Sequence, residues 1–254
     1  MIKYLIKVPL LKRIIPSIYK KYIFNKNFYK KIIVDDVIFD LDLRHLIDRR
    51  FFFHKSYENE LFLPIIRVLE SNKIDYFLDI GSCWGIYSLR LAKKFKNLKI
   101  LSFDPIKNNI SRLKKSIKKN KIKNIKIFKT ALGSSSGEIN LGATESYSPN
   151  YKINETNSVI TEICKVNVLD KIFKKNKKFI IIKIDTEEFE LNVLKGSVNV
   201  LKNNNCYVQI EICSKNKRSI FNFFKKIKYK QISLNKKNKS DYLFSNFIFN
   251  KIEI

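Results

Sequence analysis

Glycine is scarce in this chain, with six in 254 residues, and histidine and tryptophan are scarcer, at two and one. Each shortage excludes something. No G-x-G-x-x-G follows any apolar run, so a dinucleotide fingerprint is missing. No G-x-x-x-x-G-K-[ST] is present either, which removes the common nucleotide-phosphate loop. The four cysteines, Cys83, Cys164, Cys206 and Cys213, form no C-x-x-C pair and have no histidine at zinc spacing. They read as reduced thiols of a cytoplasmic protein. No stretch reaches the roughly 18 apolar residues that a membrane span needs, and nothing resembles a cleavable signal peptide. Arginine is also rare. Only eight of the 51 basic residues are Arg, against a net charge of +28. A nucleic-acid binder more often uses Arg, whose planar fork reads phosphate and guanine. The excess of Lys with Ile and Asn reads as an A/T-rich coding sequence instead.

What is present is centred on Asp75–Asp104. Tyr76, Phe77, Leu78 and Ile80 form an apolar run of strand length. Gly81 and Gly85 then punctuate the chain, and Ile86, Leu89, Leu91 and Ala92 follow at helical spacing. A second apolar run, Lys99–Phe103, closes on Asp104. This is a βαβ unit, which builds parallel sheets with ligands at the carboxyl ends of the strands. Glycines at the strand-to-helix turn let backbone approach a ligand. An acid about 20 residues further on suits ribose hydroxyls. Cys83 stands where a dinucleotide loop has its second glycine, and the bulky Trp84 beside it leaves little room for a pyrophosphate. The pattern D-x-G-x-x-x-G with a ribose acid resembles the S-adenosylmethionine site of Rossmann-like methyltransferases.

Around this unit the expected elements are simple. Residues 1–41 read as a basic, apolar N-terminal extension and 42–254 as one domain. Within the extension, residues 1–24 could lie on a membrane surface or pack on the domain; Pro9 and Pro16 favour packing. Lys31–Leu43 carries a hairpin strand and Tyr57–Glu70 a helix that Pro64 could interrupt. Asn108–Asn120 is a Lys-rich helix. Glu138–Leu141 and Cys164–Val168 are strands of an inserted hairpin, with a polar loop, Gly142–Asn157, between them. Phe179–Asp185, F-I-I-I-K-I-D, is the most buried strand by pattern. A helix is expected over Glu187–Lys195, a strand over Cys206–Ile212, a helix over Ile220–Lys226, and two closing strands flank an N-K-K-N-K turn.

The order of motifs resembles the FkbM family of S-adenosylmethionine-dependent methyltransferases from about Asp42 to Phe249. The carrying segments are Y-E-N-E at 57–60, L-D-I-G-S-C-W-G-I-Y-S at 78–88, F-D-P at 103–105, T-A-L-G at 130–133, V-L-D at 168–170, I-K-I-D-T-E-E-F-E at 182–190, L-K-G at 194–196 and D-Y-L-F at 241–244. The K-I-D-x-E-x-F-E block with L-K-G is the most specific. The resemblance implies a Rossmann-like class I methyltransferase fold: an α/β domain with a mostly parallel seven-stranded sheet, helices on both faces and an antiparallel C-terminal strand. It also implies S-adenosylmethionine as cofactor and an O-methyltransferase acting on a sugar, glycan or related hydroxyl, as in glycan biosynthesis. It places Asp79, Gly81, Ser82 and Gly85 at the methionine end of the cofactor, Asp104 on the ribose and Ala131 near the adenine. Asp185 and Glu187 fall where substrate and cofactor meet. Two positions depart from the family pattern: Asp104 stands where Glu is usual, and Glu188 where Gly is usual. If that glycine has positive φ, a Glu there is strained.

Removing a proton from an acceptor hydroxyl asks for a base. Asp185 is the first candidate and Glu187 the second. Lys183 shares a strand face with Asp185, and a Lys in so apolar a strand needs a partner; Glu211 is a plausible one. No histidine accompanies Asp185, Glu187 and Glu211, so no metal is expected. His45 and His54 read as surface or structural residues. Two rival functions remain: an RNA methyltransferase, supported only by charge, and a non-catalytic protein that keeps the fold, favoured by Glu188 and Trp84.

Overall fold

The computed structural model describes residues 28–56, 58–144, 151–153, 155–232 and 240–247. The 1–24 segment, and with it the expectation of a membrane contact, lies outside these residues, as do Tyr57, much of the polar loop and the N-K-K-N-K turn.

Strands β1 (Tyr29–Val34) and β2 (Val37–Asp42) pair as an antiparallel hairpin. Asp35 and Asp36 turn it, both at positive φ, as a two-residue hairpin loop requires. Alternation then sends Val37, Phe39 and Leu41 inward. The boundary expected at 41/42 falls inside β2. Helices α1 (Leu46–His54) and α2 (Asn59–Ser71) follow, and α2 runs through the buried Pro64. Next come β3 (Tyr76–Ile80), α3 (Ile86–Lys94), β4 (Lys99–Phe103), α4 (Lys107–Lys119) and β5 (Ile125–Phe128). Strands β6 (Ala131–Leu132), β7 (Gly137–Ala143), β8 (Lys152–Ile153) and β9 (Ile160–Asn167) form a four-stranded side sheet. The β7–β9 pair is the expected inserted hairpin. The chain returns through α5 (Leu169–Ile172), β10 (Phe179–Ile184), α6 (Glu190–Lys195), α7 (Val198–Asn203), β11 (Asn205–Glu211), α8 (Lys217–Lys226), β12 (Lys230–Ile232) and β13 (Asp241–Ser245).

The main sheet has seven strands in the order β12-β13-β11-β10-β3-β4-β5. The pairs among β11, β10, β3, β4 and β5 are parallel, and β13 runs antiparallel to both of its neighbours. This is the fold class expected. The chain winds outward from β3 through β4 and β5, then crosses to β10 and β11. The switch point therefore lies between the ends of β3 and β10, where open α/β sheets bind ligands.

Two apolar clusters cover the two sheet faces. One gathers Phe77, Ile100, Ile181 and Tyr207 with α2, α3 and the β1–β2 hairpin. The other gathers Leu78, Phe103, Ile182, Val208 and Ile210 with α6, α7 and α8. Trp84 belongs to the first. It is only 3% exposed, with Phe39 and Phe51 at ring-centroid distances of 5.8 and 6.1 Å and the Arg112 guanidinium over it. Its side chain thus fills the hairpin core. Helix α6 begins three residues later than expected, because Glu187 and Glu188 take positive φ (49° and 77°) and cannot join a right-handed helix. No described helix is long and apolar enough to cross a membrane.

Candidate active site

The loop after β3 is built from its glycines. Gly81 has φ of 78°, and a Cβ there would lie 1.7 Å from the Asp185 carbonyl oxygen. Only glycine lets β3 and β10 end this close together. The Asp185 amide donates to the Ile80 carbonyl at 3.0 Å, tying the two strand ends. Gly85 has φ of 86°, and a Cβ there would collide with Leu113 of α4. The Gly81 and Ser82 amides both donate to the Phe103 carbonyl.

Asp104 ends β4 and is buried. Its Oδ2 accepts the Cys83 amide at 2.9 Å; its Oδ1 accepts the Ile106 amide at 3.0 Å and the Asn109 side chain at 3.1 Å. Burial pushes its carboxyl up to about 7 against these bonds. A carboxylate oxygen carries two lone pairs, so Oδ2 retains one for a further donor.

A cavity of about 450 Å³ runs from this loop to the ends of β10 and β11. Gly81, Asp104, Ala131, Asp185 and Glu187 line it together. Asp79, Ser82 and Gly85 do not. Asp79 lies beneath the loop, where it accepts the Ser88 hydroxyl at 2.6 Å and burial raises its pKa. Ser82 is buried, and its Oγ has no hydrogen-bond partner among the described residues. Gly85 shapes the turn into α3.

At the other end of the cavity stand acids from several elements. Asp185 accepts from Lys183 at 2.8 Å. Lys183 is 6% exposed, with its Nζ 5.0 Å from the centroid of the Tyr87 ring. Burial opposes its charge, but Asp185, Glu58 and Asp79 outweigh that, and it stays protonated. The lysine's partner is therefore Asp185, with Glu211 one step beyond. Burial would raise Asp185 too, yet Lys183 first and then Glu211 hold it below the usual carboxylate range. Lys152 favours the charged form of Glu187, but less than burial and Asp185 oppose it. Burial and then Asp185 push it up to about 7. Burial and Asp185 raise Glu211 to about 8.

Glu58 and Tyr87 were not singled out as site residues by sequence reasoning. Glu58 lines the cavity and its carboxylate accepts the Tyr87 hydroxyl at 3.1 Å. The one signal for them was their place in the Y-E-N-E and G-I-Y-S segments. Neither histidine lines this cavity. Among the described residues no group of three or more His, Cys, Asp or Glu could hold a metal ion.

The residues fit S-adenosylmethionine. Asp104 keeps a lone pair for a ribose hydroxyl, and Ala131, Leu132, Ile139, Leu141 and Ile153 offer an apolar slot of the kind an adenine needs. Fold and site together define an S-adenosylmethionine-dependent methyltransferase. The sequence model of the methyltransferase FkbM domain matches residues 79–231, more than half of the chain, and the chain belongs to that family. No curated protein matches it. Among solved structures, it is similar to an rRNA methylase from Streptococcus thermophilus at 11% identity and a TM-score of 0.44, covering 72% of this chain and 92% of that one. It is also similar to M. jannaschii TYW2 in complex with AdoMet, at 12% identity and 0.46, covering 88% and 86%. A third is the Pyrococcus abyssi tRNA (uracil-54, C5)-methyltransferase in complex with S-adenosyl-L-homocysteine, at 12% and 0.48, covering 86% and 44%.

Proposed function

We propose that this methyltransferase is an O-methyltransferase whose acceptor is a hydroxyl of a sugar, glycan or related small molecule. The charge of the cavity wall carries the reading. Glu58, Asp185, Glu187 and Glu211 line the acceptor end, and Arg50 is the one basic residue among the described residues that line the cavity. Such a wall offers a phosphate few cations and offers hydroxyl donors several carboxyl oxygens. An RNA substrate would bring phosphates, which proteins hold mainly with Lys and Arg. The free cysteines suit a cytoplasmic protein.

In this reading Gly81 lies at the methionine end of the cofactor, Asp104 holds the ribose and Ala131 borders the adenine. Asp79, Ser82 and Gly85 hold the loop's shape from beneath. When bound, S-adenosylmethionine supplies a methyl group on a sulfonium whose leaving group is already in place. The protein's share is to align the acceptor and take its proton. Between the two candidate bases we favour Glu187. An efficient base has a pKa near the working pH, which Glu187 meets at about 7. Asp185, neutralised by Lys183, is the weaker base and orients the acceptor.

The test is methyl transfer from labelled cofactor to a panel of sugars. Glu187→Gln should lower turnover by roughly 10²-fold, while cofactor affinity by calorimetry stays within a few-fold. Wild-type turnover in the variant, or transfer to RNA in preference to every sugar, would overturn the reading.

A further inference from the structure

The register of the sheet sets three carboxyl groups side by side at its ligand edge. Ile184 pairs with Ile210, so Asp185 and Glu211, the next residues on parallel strands, stand abreast. Glu211 in turn pairs with Asp241 across the antiparallel β11–β13 ladder. Adjacent strands lie about 4.8 Å apart, within side-chain reach. Each of these two carboxyl groups acts on the other, lowering Asp185 and raising Glu211. Two carboxylates have no donor between them, so a hydrogen bond across this gap requires a proton on one. Lys183 decides which. It donates to Asp185 at 2.8 Å, so Asp185 keeps the charge and Glu211 keeps the proton.

We propose that Glu211 is a protonated positioning residue, donating to Asp185 so that this carboxylate stays fixed on Lys183 and Glu187 is left to take the acceptor proton. This rests on the hydroxyl-acceptor reading of the same cavity. The groups facing Glu211 are Asp185 from β10, Glu187 just beyond it, and Asp241 from β13. Cys213 lies two residues along, and Glu58 and Lys183 lie behind Asp241. The neighbouring side chains that bear on Glu211 are thus chiefly acidic, which favours its neutral form. Above about pH 8 Glu211 loses its proton. The bond to Asp185 then becomes a repulsion between like charges, and the orienting carboxylate moves.

Methyl transfer is expected to follow a bell. It rises as Glu187 ionises near pH 7 and falls as Glu211 ionises near pH 8. Two measurements test the assignment. In the first, the full chain carries ¹³C-labelled glutamate side chains and is titrated by NMR. One carboxyl should titrate at about pH 8. It should be missing in Glu211→Gln and shifted down by about one pH unit in Asp185→Asn. Titration of Glu211 below about pH 6 overturns the inference, whatever the acceptor is. In the second, the pH profile of methyl transfer to the sugar panel is compared across variants. Glu211→Ala should lose roughly tenfold. Glu211→Gln, which keeps a neutral donor, should recover most of that loss and abolish the alkaline fall. An alkaline limb unchanged in Glu211→Gln, or equal losses in both variants, also overturns it. If no sugar accepts a methyl group from the wild type, the hydroxyl reading fails, and the NMR titration still judges the pair.

Discussion

The two faces of the main sheet are made from alternate residues of the same strands, yet they differ in kind. One face presents Leu78, Ile182 and Ile210 to α6, α7 and α8 and is apolar throughout. The other begins the same way, with Phe77, Ile181 and Tyr207. One row further towards the ligand edge it becomes polar. Gln209, Lys183, Asp79 and Ser102 stand abreast on four neighbouring strands, all buried. Ser88 of α3 closes over this row, bonding Asp79 and Ser102 at 2.6 Å each. One row beyond lie Asp185 and Glu211. The apolar face holds the fold together; the mixed face gives up apolar burial to anchor the groups that line the cavity.

The largest effect expected from breaking this contrast comes from Lys183. Lys183→Met leaves Asp185 and Asp79 without their cation. Removing one partner of a buried pair costs about 3–5 kcal/mol. Ile182→Val, its neighbour on the apolar face, should cost only about 1 kcal/mol. Urea unfolding at pH 7 measures both, and similar losses would mean that the polar row carries no special weight.

A smaller effect is expected from pH alone. Asp104, Glu187 and Asp241 titrate near 7 and Glu211 near 8 in the folded chain, each raised chiefly by burial. The folded state therefore holds protons that the unfolded chain has already released. Stability is fullest below the unfolded values near 4 and is lost as pH rises to about 8. Asp185, whose pKa is lowered, acts outside this window, in more acid solution. Thermal midpoints should fall between pH 6 and pH 9, and fall less in Glu211→Gln. A rising midpoint would contradict the burial of these acids.

Much of this was legible in the sequence where its cause is local. The β3–Gly81–α3 turn, the acid at the end of β4 and the apolar run of β10 are adjacent-residue patterns, and they stand as read. The helix expected from Glu187 failed because positive φ at Glu187 and Glu188 leaves no trace in hydrophobic spacing. The same observation gives the departure at Glu188 its meaning, since that backbone suits the family's usual glycine. Trp84 read as an obstacle inside the loop; its burial under Phe39 depends on a hairpin more than 40 residues away. Glu211 was read as the partner of Lys183; that Asp185 takes the lysine and stands abreast of Glu211 depends on side-chain geometry and strand register, which spacing does not carry.

The smallest effect sharpens the contrast from within. Ser102→Ala removes one hydroxyl from the polar row but leaves the Ser88–Asp79 bond. It should cost at most about 1 kcal/mol by urea unfolding. A much larger loss would show that the row acts as one network.

The burial of Trp84 has a practical side. It is the only tryptophan in the chain, it sits between Gly81 and Gly85, and Phe39, Phe51 and Arg112 surround it. Fluorescence excited at the red edge of indole absorption therefore comes from one known position. A shift of that emission to longer wavelength would mark the moment the hairpin lifts from the glycine loop, with no label attached.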